Sequence, residues 1–149
     1  MKKKQAVKYK PKKNELSYFF NPQENYINIK CSSIEEDLIP IVENNCMKVK
    51  AIVEFLNSSF RQEQEINFRQ VIEFKTLIKI EIPAGFRLKG VCNKEFTMKG
   101  LYVTNCFIDE SNCIRVVATN LGPTSPVIIK HKEYFADVYL EPIQFIKMN

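Results

Sequence analysis

Ile78-Lys79-Ile80-Glu81-Ile82-Pro83-Ala84-Gly85-Phe86 is the stretch that decides the fold. Ile78, Ile80 and Ile82 alternate with Lys79 and Glu81, the period of a strand with one buried and one wet face. Pro83-Ala84-Gly85 then ends the run with residues that favour a turn. The same grammar recurs on either side. From Met47 to Phe55, Val49, Ala51, Val53 and Phe55 fall on one face, opposite Lys48, Lys50 and Glu54. Short apolar runs lie at Leu16 to Phe20, Tyr26 to Ile29, around Ile66, Phe68, Val71 and Phe74, and at Leu101 to Val103. Others follow at Cys113 to Ala118, Ser125 to Lys130 and Tyr134 to Leu140. Many short strands divided by Gly, Pro and Asn predict an all-β sandwich or barrel. One helical turn is expected at Ser33 to Leu38, where a cap residue and first-turn acids precede Pro40.

With 149 residues the chain is long enough for one domain with a real core. A hydrophobic share of 45% and a charged share of 26% place it among ordinary globular proteins. No apolar run approaches the roughly 20 residues of a membrane helix, and the basic start lacks the apolar block of a secretory signal. The expected location is the virion or the cytoplasm of the host cell, with no membrane partner and no secretion. Five cysteines include no C-x-x-C pair, and His131 is the one histidine. That pattern predicts buried or half-buried reduced thiols, no metal site and no cofactor.

The charge is unevenly spread. Lys2, Lys3, Lys4, Lys8, Lys10, Lys12 and Lys13 are seven of the 22 basic residues, and no acid lies among them. The other 15 face 17 acids, so a basic arm is attached to a nearly neutral body. Residues 1–14 are expected to form this arm and 15–149 a single β domain. An arm without apolar periodicity does not fold alone. These seven lysines and Tyr9 are candidates for binding a partner. The arm would serve as a tether to another protein, as a solubilising tail, or as a nucleic-acid arm acting through phosphate contacts.

After the Ile80 to Phe86 turn come Phe107-Ile108-Asp109, Ile114-Arg115-Val116-Val117, Asn120-Leu121-Gly122, Val127-Ile128-Ile129-Lys130 and Phe135-Ala136-Asp137-Val138-Tyr139-Leu140-Glu141-Pro142. In that order these landmarks resemble the trimeric dUTPases, within the superfamily that includes the dCTP deaminases. The likeness is clearest over residues 76–147 and implies a dUTPase-like barrel or jelly-roll-type sandwich with at most one short helix. It also implies a homotrimer, with Val138 to Ile146 as a strand for exchange between subunits or a last strand on its own subunit.

The resemblance weakens at the family's chemistry. Where the family has Arg-Ser-Gly against the phosphates, this chain reads Val91-Cys92-Asn93-Lys94-Glu95-Phe96-Thr97-Met98. Lys94 offers one cation, without the fork of an arginine. Asp109 stands where the family's water-activating aspartate would be, but the tyrosine and glycine that follow it there are missing. A turn-capping role explains Asp109 equally well. Tyr134 and Asp137 replace an arginine and a glutamine. Triphosphate hydrolysis needs its cations, metal and activated water together. The sequence therefore predicts a protein that is not an enzyme, with Asp109 vestigial and Lys94 and Asp109 the remaining nucleotide-binding candidates. A homotrimeric structural or adaptor protein is expected, a viral or phage virion component such as a capsid decoration, head fibre or vertex protein docked through its arm. The alternatives are a regulator that senses a nucleotide between subunits without hydrolysis, and a residual dUTP pyrophosphatase.

Overall fold

The structure, a computed structural model, describes residues 15–20, 27–43, 46–122 and 126–143. The lysine-rich arm, Tyr26 and the last six residues lie outside the described residues. The strands are β1 (Glu15–Phe20), β2 (Ile27–Ser33), β3 (Ile41–Glu43), β4 (Cys46–Lys50), β5 (Glu63–Ile66) and β6 (Val71–Glu81). They continue as β7 (Phe86–Cys92), β8 (Leu101–Ile108), β9 (Cys113–Asn120), β10 (Val127–Lys130) and β11 (Tyr134–Pro142). A short helix, α1 (Lys94–Met98), links β7 to β8. Among the described residues no helix is long and apolar enough to cross a membrane.

The named strands pair antiparallel in three sheets, ordered β1-β2-β6-β9-β8, β3-β4-β11-β7 and β10-β5. The all-β expectation holds. β7 packs beside β8 with Gly90 beneath Val103 and Cys106, where an added Cβ would lie 3.3 Å from Val103 Cγ1. The inward faces merge into one core that includes Ile29, Val49, Phe74, Ile78, Val116 and Val138. Phe74 and Phe135 meet there with ring centroids 5.0 Å apart. Each such side chain contributes about 1.5–3 kcal/mol by leaving water.

β6 is the strand the sequence reads most clearly, and it serves two neighbours. Val71 to Lys75 pair with β9, and Ile78 to Glu81 pair with β2. Between the two registers lies a bulge at which Leu77 takes φ +56°. For a leucine that backbone costs about 1–2 kcal/mol. Two hydrogen bonds hold it: Thr76 Oγ1 donates to Ile114 O at 2.8 Å, and Ser33 Oγ donates to Leu77 O at 2.7 Å.

Several expectations are corrected. Val49, Ala51 and Val53 are buried, but β4 ends at Lys50 and Phe55 projects into solvent from a loop. The strand β7 and the helix α1 occupy the segment compared above with the phosphate motif. Helix α1 forms because Asn93 caps it, accepting from Phe96 N at 3.1 Å, and because Phe96 is buried. The turn expected near Ser33 is a 3-10 turn over Glu36–Leu38. Val138 to Pro142, in the described part of the segment expected either to exchange between subunits or to end its own, belong to β11 and pair with β7.

At one end of the large sheet the backbones of Gly100 and Gly122 nearly touch. A Cβ on Gly100, whose φ is +98°, would lie 2.3 Å from Gly122 Cα. Gly85 also has positive φ, +87°, but its Cβ would meet nothing within 4 Å. Gly100→Ala should therefore cost about 3 kcal/mol or more, a fall in Tm of about 6–12 °C. Gly85→Ala should cost only the backbone component, about 1 kcal/mol. Thermal melts of the two variants check this, and equal losses would contradict the close approach.

Candidate functional site

The hairpin between β8 and β9 holds Asp109. Its Oδ1 accepts from Ser111 N at 2.8 Å and from Cys113 N at 3.0 Å, while its Oδ2 accepts from Arg115 Nε at 2.6 Å. Asn112, with φ +64°, turns the chain. Arg115 reaches on through Nη1 to Glu73 Oε2 on β6 at 3.1 Å. The hydrogen bond from Arg115, with those from the Cys113 and Ser111 amides, holds the Asp109 carboxyl below the usual carboxylate range. As placed, this carboxylate fastens a turn. Arg115 is the functional partner that the sequence reading overlooked. Its signal is an acid and a base on one face across a tight hairpin.

Lys94, the other nucleotide-binding candidate, is the exposed first residue of α1. Asn93 anchors that end of the helix a second time, donating from Nδ2 to Tyr134 O at 2.9 Å. Between α1 and the Asp109 turn runs the whole of β8, eight residues. At a strand's rise per residue that is roughly 25 Å. One copy of the chain does not bring Lys94 and Asp109 together. The candidate partner residues Lys2, Lys3, Lys4, Lys8, Tyr9, Lys10, Lys12 and Lys13 lie outside the described residues.

The two replacements near the end of the family pattern sit on the smaller sheet. Asp137 lies on β11 opposite Lys48 of β4 and Val91 of β7. Burial pushes its carboxyl up, with Lys48 opposing. Tyr134 carries Lys50 Nζ 5.0 Å above its ring. All five cysteines are free thiols, three buried and two half-buried, as expected. Burial pushes Cys31, Cys92 and Cys106 up to about 12, which keeps them protonated and weak as nucleophiles. Among the described residues no three His, Cys, Asp or Glu side chains are grouped so as to hold a metal ion.

No family model matches the chain, and neither does any curated protein sequence. Solved structures do. The native EIAV dUTPase superposes with a TM-score of 0.63 at 16% identity, covering 81% of this chain and 93% of that one. The dUTPase of Streptococcus mutans gives 0.57 at 18% identity, over 78% and 94%. That of Staphylococcus bacteriophage 80alpha, with dUPNHPP, gives 0.61 at 11% identity, over 81% and 86%. The chain has a dUTPase-like fold. The expectation that it is not an enzyme does not stand, because the solved structures that share its fold are enzymes. On this scaffold Asp109→Asn keeps the acceptor for the two turn amides and loses the charge facing Arg115. It should lower stability at neutral pH by about 1 kcal/mol. A depressed carboxyl stabilises above its unfolded pKa and loses that contribution as pH falls through its folded pKa. The Tm gap between wild type and variant should be widest near neutrality and close in acid. A gap independent of pH would contradict the ion pair.

Proposed function

We propose that the chain works as a homotrimer on its dUTPase-like scaffold, and that its lysine-rich residues 1–14 dock it to a larger protein assembly. A viral or phage virion component, such as a capsid decoration, head fibre or vertex protein, is the setting that suits it. The observation that carries this reading is the division of charge. Seven lysines precede Asn14 with no acid among them, while the body holds 15 basic residues against 17 acidic ones. A segment so composed gains order only against a surface of opposite sign. The phage origin of several structures with this fold is in keeping with a viral source.

The separation of Lys94 from Asp109 supports the trimer. The two residues stand at opposite ends of β8, so a cleft using both has to lie between copies. This also favours a second reading, in which such a cleft binds or hydrolyses a deoxynucleoside triphosphate, as the likeness to dUTPases suggests.

Sedimentation of the full chain should give the mass of three copies. A variant with all seven arm lysines changed to glutamine should keep that mass but leave the particle fraction of a virus-producing culture, in which wild type sediments. Unchanged incorporation would overturn the docking role. If the arm instead meets nucleic acid, binding should weaken steeply as salt rises. Pyrophosphate release from dUTP with Mg²⁺, lost in Asp109→Asn, would establish the second reading.

A further inference from the structure

Two apolar patches on the body have no use in the site described above. The first is the tip of the loop between β4 and β5, where Phe55, Leu56 and Phe60 are 79%, 60% and 82% exposed. This loop is firmly built. Asn57 Oδ1 accepts from Ser59 N at 2.9 Å and Arg61 N at 3.0 Å, and Asn57 N donates to Arg61 O at 2.9 Å. At its base Gln62 Nε2 donates to Val53 O at 2.6 Å, and Val53 N donates to His131 Nδ1 at 3.0 Å. Phe60 is held outward at φ +59°, a backbone that a bulky residue adopts only against a cost.

The second patch surrounds the close approach of Gly100 and Gly122. Val71 and Tyr102 both pair with Thr119, from either side, and so share its face of the sheet. Phe68 bridges to Asn120, and Leu121 N donates to Gly100 O at 2.8 Å, two residues beyond Met98. Phe68, Val71, Met98, Tyr102 and Leu121 are each about half exposed or more. From these exposures the tip presents roughly 400 Å² of apolar side chain and the corner roughly 500 Å². A standard interface takes about 800 Å² from each partner, somewhat over half of it apolar. Each patch thus approaches the apolar share of one side of an interface, and is large for a surface left in water.

We propose that the tip of one copy seats on the corner of the next copy, so that Phe55, Leu56 and Phe60 pack against Phe68, Val71, Met98, Tyr102 and Leu121. The inference rests on the trimeric reading above and names its surfaces. The tip precedes β5 and the corner follows it, so the two patches lie at opposite ends of that strand. A contact between two different patches of one chain is head-to-tail, and three such contacts close a ring. Since the tip is fixed before contact, little ordering is left to oppose binding.

The test is sedimentation velocity on the full chain and its variants, with circular dichroism as the check on folding. Phe60→Asn and Phe55→Ser remove the tip, and asparagine accepts the left-handed backbone at position 60. Tyr102→Lys and Leu121→Lys spoil the corner. Each should stay folded and move the trimer's dissociation midpoint about tenfold or more. Phe60→Asn with Phe55→Ser, and Tyr102→Lys with Leu121→Lys, should each give monomers. Mixed, these two monomers should form a one-to-one heterodimer through the single intact tip and corner. Trimers that survive both double variants would overturn the proposed surfaces and leave the trimer standing, and so would variant monomers that fail to pair when mixed. A wild-type monomer would overturn the trimeric reading itself and this proposal with it.

Discussion

A single buried amide, Asn120, ties together the end of the large sheet on which the rest of the architecture depends. Its Nδ2 donates to Ile66 O at the end of β5, and its Oδ1 accepts from Gly122 N, both at 2.9 Å. Its backbone accepts from Arg69 N at 2.7 Å and donates to Gln70 O at 3.4 Å. Four pieces of chain meet there: the end of β5, the turn before β6, the end of β9 and the turn after α1. A fully buried amide left without partners would cost about 1–3 kcal/mol per group, so these bonds specify one arrangement. Glycine at 100 and 122 is the steric condition for it, since any side chain there would push the backbones apart.

From this knot the exposed features acquire their rigidity. Phe68, Tyr102 and Leu121 stand on segments that the Asn120 and Gly100 bonds fix, so the apolar corner is held in one shape. At the far end of β8, the hairpin is fixed by Asp109 and Arg115 instead. The scaffold therefore keeps two well-ordered ends with different chemistry, an apolar corner beside α1 and an ion-paired turn.

Much of the fold was legible in residue pattern. Alternation at Ile78 to Ile82 and the apolar run at Cys113 to Ala118 located two neighbouring strands of the large sheet. Asn120, Leu121 and Gly122 were visible as landmarks, though the partners of Asn120 are distant in sequence and had no local signal. Phe55 was misplaced because alternation continues past Lys50 while the ladder to β11 stops there. β7 went unread since Gly90 interrupts its apolar face, and α1 since five residues are too few to show a helical period. Asp109 could be found from the sequence, but its role depends on Arg115. The missing family motifs were read as missing chemistry, a step that residue pattern alone does not license.

The most direct test of the account is an experimental structure of the full chain in solution, for example by electron cryomicroscopy. It predicts three copies in a closed ring, with Phe60 of each seated beside Tyr102 and Leu121 of its neighbour. Copies that touch through other surfaces, leaving both Phe60 and Leu121 in water, would contradict it.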